Sequence, residues 1–318
     1  LLLPDLLNAP LLASPACLAR HAMQCCFFSR EIEFVVEKTL RPRRSLLFVP
    51  GLRPDRFAKA LNAGADIVCV DIEDAVALPR KQEARELTMP LFATPAPDNV
   101  ETMVRINPLS SEEGLEDILA LKQCEVPPAA IMIAKPGSAA EIELYDELLS
   151  GNCAGIRFHV IIESTDGLAS VDDIARSSDR IDSLLFGAVD MSADLRAAKK
   201  WETMLYARSR VVHAAARYDH DLLDVPWLDL DDQDGLVVEA QASNELGFTG
   251  KASIHPKQVP IINKVFSPSA EDVERARRIV AEFANNTTGL LVVDGELIER
   301  PVLRTMHRIL AVADKLGV

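Results

Sequence analysis

The sequence predicts an α/β fold: a closed (β/α)8 TIM barrel carrying a C-terminal helical lid. From residue 44 onward, apolar runs of four to eight residues alternate with amphipathic stretches of ten or more, the pattern of repeated βα units and a parallel sheet. About eight such units fit before residue 265, the count a closed barrel needs. Two of the runs also end alike: Val160-Ile161-Ile162 stops at Glu163-Ser164-Thr165-Asp166-Gly167, and Leu184-Leu185-Phe186-Gly187-Ala188-Val189 stops at Asp190. A buried parallel strand that delivers an acid to a catalytic rim has this form.

The first strand is expected at Ser45 to Val49, stopped by Pro50-Gly51, with a helix from Asp55 to Ala63. The second runs from Ile67 to Ile72 among the acids Asp71, Glu73 and Asp74, the third from Thr102 to Ile106, and the fourth from Ala130 to Ala134 before Lys135-Pro136-Gly137. Strands five and six are the pair ending in acids, with one helix between them. A helix from about Trp201 to Tyr218 shows Val211, Val212 and Ala215 at helical spacing. Strand seven is Leu222 to Val225, an acidic loop from Asp229 to Asp234 enters the next helix, and strand eight is Gly250 to Pro256. Beyond residue 265 the pattern changes. Ser269 and Asp272 cap a helix reaching about Ala284; a polar break at 285–289, a short apolar stretch Leu290 to Val293, a tight turn at Asp294-Gly295 and a last helix from Pro301 to about Leu316 follow. The division is a 1–40 extension, a 41–265 barrel and a 266–318 lid.

At 318 residues, one large domain with an appendage is the simplest organisation. The formal net charge of −14 argues against non-specific nucleic-acid binding and against an anionic membrane surface. The six cysteines have no zinc-type spacing, and a reducing cytoplasm fits them best. No uninterrupted apolar span approaches the roughly 18 residues of a membrane helix, and residues 1–40 lack the basic leader of a signal peptide. The opening leucine suggests a chain shorter than the gene product. No GxGxxG after the first strand, no GxxxxGK[ST] and no GxSxG is present, so dinucleotide, P-loop and serine-hydrolase readings have no support.

Glu163 and Asp190 are read as a carboxylate pair for one divalent cation, because Mg²⁺ takes oxygen ligands and one or two protein carboxylates plus waters. Arg105 ends an otherwise apolar strand, where its fork of donors suits a carboxylate or a phosphate, or an ion pair with Glu73 or Asp74. Between neighbouring acids, Glu73 is favoured over Asp71, which is expected to face the barrel wall. His255, beside Pro256, is expected to be a hydrogen-bonded rim residue rather than a base.

Arg44-Ser45-Leu46-Leu47-Phe48-Val49-Pro50-Gly51, Asp71-Ile72-Glu73-Asp74-Ala75-Val76, Val104-Arg105-Ile106-Asn107, Ile162-Glu163-Ser164, Phe186-Gly187-Ala188-Val189-Asp190 and Gly250-Lys251-Ala252-Ser253-Ile254-His255-Pro256 resemble the citrate lyase β-subunit-like (CitE-like) branch of the HpcH/HpaI aldolase superfamily. The resemblance runs from about residue 41 to the end. It implies a Mg²⁺-dependent TIM barrel, often a trimer or hexamer, that splits an acyl thioester into a 2-oxo acid and an acetyl thioester. It implies Glu163 and Asp190 as metal ligands, Arg105 as the catalytic residue that holds the oxo-acid carboxylate and carbonyl, and backbone N–H groups after Glu163, at Ser164 and Thr165, as further contacts to that carboxylate. Glu73, from the reading of the residues themselves, is taken as a catalytic carboxylate and Lys135 as a basic substrate contact. Relatives carry an aspartate in a lid from the adjacent subunit; Glu299 stands there in this chain, one methylene longer. Val225-Pro226-Trp227 replaces the usual glycine after strand seven. Arg43, Arg44 and Lys135 are basic candidates for coenzyme A contacts.

The expected activity is cleavage of citramalyl-CoA or malyl-CoA to pyruvate or glyoxylate and acetyl-CoA. The alternatives are citryl thioester lyase, malyl-CoA thioesterase and a partner-dependent subunit. The class II aldolase side of the superfamily uses an early histidine base, and no histidine lies between His21 and His159.

Overall fold

The computed structural model describes residues 41–284 and 290–318; the 1–40 extension and the polar break at 285–289 lie outside the described residues. Eight parallel strands close a barrel in sequence order: β1 (Ser45–Pro50), β2 (Ile67–Asp71), β3 (Glu101–Ile106), β4 (Ala130–Ile133), β5 (Arg157–Ile162), β6 (Ile181–Phe186), β7 (Asp221–Asp224) and β8 (Gly250–Ser253). Closure is made by β8 against β1, with Leu46 opposite Ala252. The helices between them are α1 (Phe57–Leu61), α2 (Lys81–Thr88), α3 (Glu112–Gln123), α4 (Ala139–Leu148), α5 (Thr165–Ala169), α6 (Val171–Ala175), α7 (Ala188–Asp194), α8 (Trp201–Arg217), α9 (Gln233–Leu246) and α10 (Val259–Val265).

Period-two alternation sends successive side chains to opposite faces of each strand. Leu46, Ile67, Cys69, Met103, Met132, Ile161 and Leu185 fill the barrel interior, while Val68, Val70, Val104, Ile131, Phe158 and Phe186 pack outward in the helix layer. Both faces are buried, which is why the strands read as continuous apolar runs. Strand eight stops at Ser253 and the first helix spans only Phe57–Leu61, both shorter than expected, and other differences from the sequence expectation bear on the site. β5 and β6 begin upstream of their apolar runs, because their first turns carry polar residues of a buried plug, with His159 Nδ1 and Ser183 Oγ 2.6 Å apart. The single helix expected between β5 and β6 breaks at Ser170 into α5 and α6. β6 stops at Phe186, so Asp190 belongs to the first turn of α7 rather than to a strand tip.

The plug closes the end of the barrel where the strands begin. Arg43 pairs with Glu101 at 2.7 Å, Asp182 at 2.8 Å and Asp221 at 3.1 Å, and Arg44 pairs with Asp66 at 2.8 Å. Both arginines, expected as coenzyme A candidates, are therefore consumed at the end of the barrel opposite the carboxyl ends of the strands.

The tail forms a small unit with its own core. Ser269 and Asp272 exchange hydrogen bonds, Asp272 N–H donating to Ser269 Oγ at 3.0 Å and Ser269 N–H to Asp272 Oδ2 at 3.1 Å, and so cap α11 (Ala270–Ala284). Asp294 and Gly295, at φ +53° and +83°, make the two-residue turn of an antiparallel hairpin, β9 (Leu291–Val293) and β10 (Glu296–Ile298). The second strand was not expected from the sequence. It leads into α12 (Arg300–Leu316), and Ala276, Ile279, Val293, Ile298 and Met306 pack together between these elements. Among the described residues no helix is long and apolar enough to cross a membrane.

Candidate active site

The inward-facing series of each strand sets the chemistry at the carboxyl ends. On β2 the series Ile67, Cys69 ends in Asp71, and on β3 Met103 is followed by Arg105. The two last members meet: Arg105 Nε donates to Asp71 Oδ1 at 2.8 Å and Nη2 to Oδ2 at 2.5 Å. Asp71 thus faces the cavity rather than the barrel wall, and it also accepts the N–H of Glu73 at 2.9 Å. Arg105 Nη1 lies 3.3 Å from Glu73 Oε2, and its guanidinium is 5.1 Å above the Phe48 ring. Burial disfavours its charge, but Asp71 and Glu73 outweigh that and keep it firmly protonated.

Glu163 follows β5 directly and is 4% exposed. Burial and the charge of Asp190 push its carboxyl up to about 8. Oε1 accepts the backbone N–H of Lys135 at 3.1 Å, whereas Oε2 accepts no hydrogen bond among the described residues. Gly187 makes room for this carboxylate, since a Cβ there would lie 2.5 Å from Glu163 Cβ and 2.6 Å from Oε2. A buried carboxylate repelled by a second one, with an unbonded oxygen, is short of positive charge. That environment fits a hard divalent cation held by two carboxylates and completed by water or ligand oxygens. No cluster of three or more metal-ligating side chains occurs among the described residues.

A cavity of about 830 Å³ opens above these groups, lined by Asp71, Asp74, Arg105, Glu163 and Asp190 on the polar side and by Phe48, Ile161, Leu185 and Val225 on the apolar side. Glu73 and Lys135 are not among the lining residues. Lys135 Nζ bonds Glu73 Oε1 at 2.7 Å and Asp74 Oδ1 at 3.3 Å and lies 3.8 Å from Asp190. Burial raises the Glu73 carboxyl. Ser164 and Thr165 also lie outside the lining. The Ser164 hydroxyl caps α5 by accepting Gly167 N–H at 3.0 Å, and the Thr165 N–H, expected among the substrate donors, is taken by Asp194 at 2.5 Å. Glu299 is exposed at the start of α12, and among the described residues none beyond Pro256 lines the cavity. His255 lines it, with Nδ1 accepting Lys257 N–H at 3.1 Å, the hydrogen-bonded rim position expected.

Sequence reasoning missed three groups. Arg53, Arg56 and Lys59 form a basic lip on the loop and helix after β1; the Arg-Pro-Asp-Arg turn reads as an ordinary solvated helix start. Lys251 and Asp224 are wholly buried behind the wall, with Lys251 Nζ bonded to Asp224 at 2.9 Å and to the Val225 carbonyl at 2.6 Å. Gln258 ties the same wall to its neighbour, accepting Ile254 N–H at 3.0 Å and donating to the Trp227 carbonyl at 2.8 Å. Only the interleaved apolar and charged residues of these runs could have hinted at such buried ionic partners.

Known proteins resemble this chain in sequence and fold. The chain is 30% identical over 286 residues to citrate lyase subunit beta of Leuconostoc mesenteroides subsp. cremoris, covering 86% of this chain and 94% of that protein. It is 34% identical over 268 residues to L-malyl-CoA/beta-methylmalyl-CoA lyase of Cereibacter sphaeroides, covering 76% and 84%. The crystal structure of CitE from Mycobacterium tuberculosis in complex with magnesium, acetoacetate and coenzyme A superposes with a TM-score of 0.72 at 30% identity, over 85% of this chain and 98% of that one. The profile of one family matches residues 44–256, the span from β1 to the His255-Pro256 rim, and the chain belongs to that family, HpcH/HpaI aldolase/citrate lyase.

Proposed function

We propose that the protein is a Mg²⁺-dependent carbon–carbon lyase that cleaves a 3-hydroxyacyl-CoA, citramalyl-CoA or malyl-CoA, to pyruvate or glyoxylate and acetyl-CoA. The observation that carries this reading is the convergence of buried Glu163, Asp190 and the Asp71-held Arg105 on one cavity. Glu163 and Asp190 hold the cation. When bound, Mg²⁺ supplies positive charge beside the oxygen of the oxo acid. Arg105 donates to that oxygen as it changes from hydroxyl to carbonyl. The hydroxyl proton passes to water in the open cavity, and the electrons of the breaking carbon–carbon bond pass to the acetyl thioester as an enolate. One proton delivered from Glu299, itself reprotonated from water, converts the enolate carbon to the methyl of acetyl-CoA, so protons balance.

The basic lip of Arg53, Arg56 and Lys59 suits the phosphates of coenzyme A. Among the described residues Arg105 is the one cation that a barrel strand gives to the lining, which it shares with apolar Phe48, Ile161 and Leu185. A hydrogen or methyl on the carbinol carbon suits that wall better than a second carboxymethyl group. The citrate lyase subunit similarity supports the citryl thioester as the second reading. A homotrimer or hexamer completes the site: Glu299 is not among the lining residues of its own cavity, and the hairpin exposes the cross-strand pair Val292 and Leu297, matching the apolar rim residues Val189, Leu228 and Ile254 of a neighbouring copy. The free thiols of Cys69, Cys124 and Cys153 suit a reducing cytoplasm.

The test is an assay with Mg²⁺ against citramalyl-CoA, malyl-CoA and citryl-CoA, scoring oxo acid and free thiol separately, with Glu163→Ala as control. Pyruvate or glyoxylate that disappears in the variant supports the proposal. Oxaloacetate favours the citryl reading, thiol without oxo acid a thioesterase, and no turnover a partner-dependent subunit.

A further inference from the structure

Lys135 has a backbone that its surroundings must enforce. Its φ of +56° lies in the left-handed region, which costs a residue with a Cβ and is normally left to glycine or asparagine. The following residue is Pro136, whose ring also drives its predecessor toward extended conformations. Two anchors oppose this cost. The ammonium is held by Glu73 at 2.7 Å and Asp74 at 3.3 Å, and the backbone N–H is held by Glu163 Oε1 at 3.1 Å. Glu73 is in turn tied to Arg105, 3.3 Å from Nη1. The strain is stored at the one point where the backbone of β4's exit meets the carboxylate that follows β5, as local strain at functional sites commonly is.

We infer that Lys135 is a positioning residue for Glu163. With its side chain tethered to Glu73 and Asp74, it holds its own backbone left-handed so that its N–H fixes Glu163 Oε1 and leaves Oε2 for the cation. The inference rests on the metal site proposed above and gives Lys135, which is not among the cavity's lining residues, a role other than direct substrate contact. It also separates two properties of the residue that a charge-based role would join. The ammonium repels a cation at Asp190, 3.8 Å away, so its loss alone favours metal binding; the backbone geometry does the opposite.

Mn²⁺ binding to the full chain without substrate, followed by electron paramagnetic resonance, reads this directly. Lys135→Gly, Lys135→Asn and Lys135→Ala all lose the charge but differ in tolerance of the left-handed region. Affinity is expected to follow that tolerance: the glycine variant within about threefold of the parent, asparagine intermediate and alanine weaker by about tenfold. Lys135→Gln, as averse to the left-handed region as alanine, gives the same reading should the alanine variant melt early. Equal affinities across the series overturn the inference while leaving the metal site intact. A parent chain whose Mn²⁺ binding is unaffected by Glu163→Gln overturns the metal site and the inference together.

Discussion

Arg105 and Asp71, on adjacent strands, form a two-point fork at 2.8 and 2.5 Å, and this pairing fixes the plane of the one strand-borne cation that lines the cavity among the described residues. An ammonium cannot reproduce both contacts. Arg105→Lys is expected to lower kcat/KM by about 100- to 1,000-fold, the range for losing a donor that acts on developing charge, with the melting temperature nearly unchanged. Steady-state kinetics beside a thermal melt check it.

Gly187 is a second point where one atom decides the site. Gly187→Ala puts a Cβ 2.5 Å from Glu163 Cβ, which forces the carboxylate aside while the barrel persists. Isothermal titration with Mg²⁺ is expected to detect at least about tenfold weaker binding, comparable to the loss of a supporting contact around a metal ligand, with an unchanged far-ultraviolet spectrum.

Glu299 provides a test of assembly. Glu299→Gln and Glu163→Ala are each expected to be nearly inactive, but mixing them after partial denaturation and refolding should recover roughly a quarter of the parent rate, because a site with barrel and lid from different copies can be intact in both parts. No recovery on mixing would place the lid over its own barrel.

Much of this arrangement is readable in the chain. The apolar runs of β5 and β6 announce themselves, and Glu163 is found because burial on both strand faces leaves no alternation to hide a terminal acid. Asp190 is found for a partly wrong reason: Gly187 ends the strand early, and the acid arrives on the first turn of α7. Asp71 is not legible as a cavity residue from the sequence, because the inward series Ile67, Cys69, Asp71 is visible only once the barrel's two faces are assigned. The capture of Thr165 N–H by Asp194, 29 residues away, and the left-handed backbone of Lys135 have no local sequence signature. Both follow from how separate loops crowd together at the rim.

The plug at the opposite end predicts the acid limb of stability. Burial raises the Glu101 carboxyl, but His159 and Arg43 outweigh it and hold the group far below the usual carboxylate range. A depressed carboxylate contributes stability that is complete above its unfolded pKa of about 4.3 and is lost as pH falls toward the folded value. The melting temperature should therefore hold near neutrality and fall steadily below about pH 4 to 5. Glu101→Gln should lower the neutral melting temperature and flatten that acid limb.

The claim that a carbon–carbon bond breaks at Glu163, Asp190 and Arg105 is tested most directly by running the reaction on citramalyl-CoA in D₂O with Mg²⁺ and weighing the products. Equal amounts of pyruvate and acetyl-CoA are predicted, the acetyl methyl carrying one deuterium from protonation of the enolate, and neither product with Glu163→Ala. Free coenzyme A with intact, undeuterated citramalate would contradict the account and make the same cavity a thioesterase.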